Sequence, residues 1–66
     1  MSKSAQVAKD IKKDYGAVIT IANLQDYLKL GSHHTAQKMM KGVPTVNIGG
    51  KKGYWYEDVA RKIVFG

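Results

Sequence analysis

The chain has no cysteine, so it has no disulfide framework and no thiolate metal site, and packing alone must hold its core. It has one proline, Pro44, which falls between two predicted elements rather than in a linker. Acidic side chains are sparse: the five Asp and Glu are scattered at helix starts or on exposed faces, and no serine lies near a base with an orienting acid. That excludes any recognisable catalytic constellation, and an enzyme is not expected. The two histidines, His33 and His34, are adjacent. On a helix they would point about 100° apart, with no Cys or further His to complete a shell, so neither a metal site nor a cofactor is expected. Long apolar runs are missing too. The opening MSKSAQVAKDIKK has nothing like a signal-peptide core, and nowhere do about twenty apolar residues follow one another. The expectation is a soluble cytoplasmic protein with no membrane partner. Internal repeats and low-complexity tracts are absent as well.

What the chain does have is positive charge. Eleven Lys and Arg leave a formal net charge of +6, enough to attract polyanions and hasten encounter with them. Nucleic acid is the partner this favours, against the blander reading of a basic surface that only confers solubility. A domain of this length buries only about 60% of the surface its unfolded chain exposes, so residues 1–66 are read as a single domain with a small core and no deep pocket.

Hydrophobic periodicity organises the rest. Ala8, Ile11 and Tyr15 recur at helical spacing with Lys9, Lys12 and Lys13 on the other faces, and Gly16 is a stop. Residues 1–16 are therefore expected to form an N-terminal helix or basic arm. Ala17, Val18 and Ile19 suggest a short extended segment, after which Thr20 can cap a helix whose apolar face is Ile21, Leu24, Tyr27 and Leu28. Gly31 is expected to supply the left-handed position that ends this helix, and Ser32 to cap the next. From Ser32 to Lys41, Ala36, Met39 and Met40 form the buried stripe, and Gly42 and Pro44 prevent continuation. Thr45 to Ile48 alternates as a half-buried strand does. Gly49, Gly50 and Gly53 mark a hairpin turn with Lys51 and Lys52 at its tip, followed by the strand Tyr54, Trp55 and Tyr56. Alternation turns Tyr54 and Tyr56 inward and leaves Trp55 on the other face; a stacking platform for single strands is the lesser reading of these aromatics. Glu57 and Asp58 then open a last helix with Val59, Ile63 and Val64 toward the core. This order predicts an α+β fold: a small winged helix-turn-helix of three to four helices with a two-stranded β-hairpin wing.

The stretch Thr35 to Asp58, TAQKMMKGVPTVNIGGKKGYWYED, resembles the recognition helix, wing and final-helix start of the excisionase-like, MerR-related winged helix-turn-helix proteins. The helix ending at Gly42, the following Pro44, Ile48-Gly49 on the first wing strand, the basic Lys51-Lys52 and Asp58 at the final helix match that pattern in order. Residues 1–16 lie outside the family core. The resemblance implies sequence-specific binding of duplex DNA, with the second helix in the major groove and the wing on the adjacent backbone or minor groove. It also implies a role as excisionase, or recombination directionality factor: an architectural cofactor of a phage or mobile-element integrase, nucleoid-associated when bound. Because one domain of this size covers a short site and excision needs bent DNA, adjacent copies on DNA are expected.

The residues expected to carry that binding can be sorted by chemistry. Gln37 can pair bidentately with adenine. His33 and His34 can donate to guanine or phosphate, and Thr35 can meet phosphate or a thymine methyl. Lys38 and Lys41 suit phosphates, which fix register without conveying sequence, and Lys51 and Lys52 extend that grip to the wing. Two alternatives stand beside this reading. A small phage or plasmid transcription regulator would bind DNA in the same way, and a protein-interaction module or inhibitor would dock its basic surface on an acidic protein.

Overall fold

The computed structural model describes residues 3–66; Met1 and Ser2, the first residues of the 1–16 segment, lie outside the described residues. Four helices and three strands follow in the order α1 (Lys3–Tyr15), β1 (Val18–Ile19), α2 (Ile21–Tyr27), α3 (His33–Met39), β2 (Thr45–Ile48), β3 (Lys51–Trp55) and α4 (Tyr56–Phe65). The fold is α+β, a small winged helix-turn-helix whose antiparallel sheet has the strand order β1-β3-β2.

The N-terminal helix is docked. Ile11, 1% exposed, joins Ile19, Leu24, Ala36, Met40 and Val59 in one buried cluster, and α1 packs along α4 in the most extensive contact between any two elements. At its C-terminal end the Tyr15 ring meets Tyr27 edge-on, with centroids 6.2 Å apart. The Tyr15 hydroxyl donates to Asp26 Oδ2 at 2.5 Å. Lys12 Nζ lies 5.2 Å from the centre of the Tyr56 ring, a cation–π contact that adds a second tie to α4. Gly16, at φ 96°, closes the helix by donating its N–H to the Lys12 carbonyl at 2.9 Å.

Thr20 caps α2 as its sequence position predicts. The Asn23 N–H donates to Thr20 Oγ1 at 3.1 Å while the Thr20 N–H donates to Asn23 Oδ1 at 3.2 Å, a capping box with Asn in the reciprocal place. The end of α2 corrects the sequence reading. The left-handed residue is Lys29, at φ 53°, and not Gly31. Leu28 caps the helix, the Lys29 N–H donates to the Asp26 carbonyl at 3.2 Å, and the Leu30 N–H reaches the Gln25 carbonyl at 2.9 Å. This is the paired bonding of a Schellman motif, with Leu30 folded back onto the core. The helix stops two residues earlier than a Gly31 ending requires, so Gly31 falls in the connection to α3.

The sheet holds two further corrections. Gly49 and Gly50, at φ 60° and 79°, form the whole hairpin turn, the two-residue geometry that demands positive φ at both positions. Lys51 and Lys52 are therefore the first two residues of β3, opposite Ile48 and Asn47, and do not sit at the tip. Gly53 is no turn residue either. It is buried in the central strand, paired with Val46, and is covered by Val18 from the third strand. That strand, β1, pairs Val18 with Trp55 and Ile19 with Tyr54, and the pairing continues as the Tyr56 N–H donates to the Ala17 carbonyl at 2.9 Å. Tyr54 and Tyr56 both pack on the core, although Tyr56 already belongs to α4.

Candidate nucleic-acid interface

In α3 the residues that face inward are Ala36 and Met40, with Met39 half-buried beside them. At about 100° per residue, their direction leaves His34 and Lys38 near the middle of the opposite face, with Thr35 and Gln37 along its flanks, while His33 falls on the side of Met40 and is exposed as the first residue of the helix. All five are exposed. The helix is shorter than its sequence pattern suggests, because the Met40 N–H is shared between the carbonyls of Ala36 and Gln37 and the Lys41 N–H turns tightly to that of Lys38. Lys41 is thus exposed in the turn after α3 rather than in the helix. Gly42, at φ 88°, then reverses the chain toward the wing. Ser32 occupies the N-cap position with extended backbone, but its side chain makes no capping hydrogen bond.

Strand geometry decides where the wing lysines point. Successive strand residues face opposite sides of a sheet, and residues directly across a ladder share a side. Lys52 therefore shares one face with Asn47, Thr45 and Tyr54, the face whose base carries Ile19 into the core. Lys51 shares the other with Ile48, Val46, Gly53 and Trp55. Both lysines are exposed. Trp55, 38% exposed, is held at the foot of that second face by its indole N–H, which donates to Glu57 Oε1 at 3.0 Å, and by its contact with the Tyr56 ring.

The electrostatic organisation is sharper than the net charge indicates. From Tyr27 to Tyr56 there is no Asp or Glu, while five lysines (29, 38, 41, 51 and 52) lie in that stretch, so it supplies +5 of the formal +6. The carboxylates that bound it are engaged locally: Asp26 accepts from Tyr15, Glu57 from Trp55, and Asp58 pairs with Arg61 one turn along α4. The Tyr15 hydroxyl, hydrogen-bonded to the Asp26 carboxylate and set against its negative charge, has its pKa pushed up to about 12. No acidic side chain within the turn, α3 or the hairpin competes for an anion.

Three exposed residues of this surface escaped the sequence reading. Lys29 sits in the turn between α2 and α3, and the absence of acids from 27 to 56 was the available signal for it. Asn47, an amide beside Lys52 on the same face of the wing, followed from strand alternation once the turn was placed at Gly49–Gly50. Ile48, 60% exposed, had no signal, since its position in an alternating strand suggested a half-buried residue. Among the described residues no helix is long and apolar enough to cross a membrane. No family model, curated protein sequence or solved structure matches the chain.

Proposed function

We propose that the chain binds specific duplex DNA, with the exposed face of α3 in the major groove and the wing on the neighbouring backbone and minor groove. The observation that carries this reading is the acid-free stretch from Tyr27 to Tyr56, which joins a polar helix face to a basic hairpin within a winged helix-turn-helix. A major groove about 12 Å wide admits one α-helix, and the side chains on offer suit its edges. Gln37 reads adenine, His33 and His34 donate to guanine or phosphate, and Thr35 meets phosphate or a thymine methyl. Lys38, Lys41, Lys51 and Lys52 hold phosphates. Some four to six such contacts give a log-log salt slope of roughly −4 to −5.

Within this reading the chain acts as an excisionase, an architectural cofactor of an integrase, as its resemblance to the excisionase-like family implies. Its longest dimension is 33 Å, close to one turn of B-form DNA, so bending a longer attachment site calls for adjacent copies. Footprinting on the DNA that surrounds the chain's own gene tests both levels. A protected site that exceeds scrambled DNA in affinity at moderate salt supports specific binding, and protection repeated at about one-turn spacing next to an integrase gene supports excision. Equal affinity for scrambled DNA rejects the first, and a lone site at a divergent promoter rejects the second.

A further inference from the structure

Ile48 is, with Trp55 and Phe65, one of the large apolar side chains left exposed among the described residues. It ends β2 yet is 60% exposed, while Val46, two residues earlier on the same face, is half-buried. Directly after it come Gly49 and Gly50, and a β-carbon placed on either would meet nothing within 4 Å. The hairpin therefore ends in bare backbone, and the first side chains behind that end are Ile48 on one strand and Lys51 on the other, cross-strand partners on one face. Lys52 points to the opposite face beside Asn47. A branched apolar side chain thus stands at the end of a slim ribbon, with one cation beside it on its own face and another on the opposite face.

Those features match the demands of a minor groove. At about 6 Å wide it leaves little room for side chains at an entering tip, and apolar wedges that enter it unstack a base step and kink the duplex. We infer that the wing enters the minor groove tip first and that Ile48 wedges between two base pairs, with Lys51 beside it and Lys52 on the opposite face of the ribbon reaching phosphates. This rests on the DNA-binding reading above and adds to it a residue that deforms DNA. Because pyrimidine–purine steps unstack most easily, the step beneath the wing is TA or CA/TG, selected for its deformability rather than by base-edge contacts.

The probe is a duplex of about 30 base pairs enriched from a random pool by the wild-type chain, end-labelled with a donor–acceptor pair and carrying 2-aminopurine at its pyrimidine–purine step. Wild-type protein raises both energy transfer and 2-aminopurine fluorescence. Ile48→Ala, with melting midpoint and far-UV spectrum checked against wild type, binds less than about tenfold more weakly but leaves both signals at the free-duplex level. Lys52→Ala weakens binding, yet at saturation both signals return. A straight wild-type complex, or an Ile48→Ala complex that bends and unstacks as wild type does, overturns the wedge while leaving DNA binding intact. So does an Ile48→Ala variant that loses only cooperative loading of a second copy, which makes Ile48 a contact between copies. A pool that yields no enriched duplex overturns the DNA-binding reading itself, and the wedge with it.

Discussion

A β-carbon on Gly53 would lie 2.5 Å from Val18 Cγ1 and 3.0 Å from the Ile19 carbonyl oxygen, so the central strand of the sheet is built around a missing side chain. Val18 occupies the space that any other residue at 53 would fill, and this lets β1 close against β3 directly after α1. Gly53→Ala is expected to push β1 away and cost about 1–3 kcal/mol in denaturant unfolding. Combining it with Val18→Ala recovers part of that loss but not all, because the Ile19 carbonyl remains in the way. Strict additivity in the double-mutant cycle would show that the two residues do not share the site.

Lys29 presents the converse case, a side chain where glycine fits better. It holds φ 53° at the end of α2, a conformation that costs an L-residue about 1 kcal/mol relative to glycine. Lys29→Gly is expected to stabilise the fold by about 0.5–1 kcal/mol, and Lys29→Val to destabilise it by more than that, as read from urea midpoints at constant slope. If the glycine variant also binds DNA less tightly, the strained lysine is kept for its charge.

Tyr15 predicts a pH dependence. Its folded pKa, about 12 against the ordinary 10.0, is raised chiefly by the hydrogen bond to Asp26, so the folded state holds the proton more tightly than the unfolded one. The contribution is fully present below pH 10 and is lost as pH rises from about 10 to 12. Across that window the melting temperature of wild type should fall more steeply than that of Tyr15→Phe. Ultraviolet difference titration should show Tyr15 ionising late, and no longer doing so in Asp26→Asn.

The helix face and the wing predict separable losses of binding. Gln37→Ala should cost about 1–3 kcal/mol on the preferred site and relax preference at a single base pair. Lys38→Ala and Lys52→Ala should weaken binding to all sequences alike, each lowering the salt slope by about 1. Function left intact when Gln37, Lys38 and Lys52 are all alanine, with DNA binding lost and the fold retained, would instead favour docking on an acidic protein.

Much of this architecture was legible because it rests on local chemistry. Thr20 caps where a β-hydroxyl residue precedes an apolar period, Gly42 takes a positive φ in the turn that follows α3, and Glu57 and Asp58 lie in the first turn of α4. His34, Thr35, Gln37 and Lys38 on α3 were legible as the complement of Ala36 and Met40. What escaped was set by distant partners. Ala17 to Ile19 announce an extended segment, but the pairing of Val18 and Ile19 with β3 is fixed by residues more than thirty positions away. The Gly49–Gly53 run reads locally as one long loop. Only the register fixed by Val46 opposite Gly53 assigns the turn to its first two glycines and sends the two lysines to opposite faces. Gly31 misled because glycine marks where a left-handed residue is cheap, whereas the helix end was set by where Leu30 could return to the core.

The concentration of charge in one segment also bears on how the molecule arrives at a polyanion. With +5 between Tyr27 and Tyr56 and only +1 across everything else, the chain carries a permanent electric asymmetry over a body 33 Å long, several times the screening length of about 8 Å at physiological salt. An approaching polyanion therefore exerts a torque before it makes contact, and molecules that collide at other orientations are rotated rather than captured. Orientation is settled during diffusion, so fewer encounters are wasted and the association rate falls as salt erases the torque.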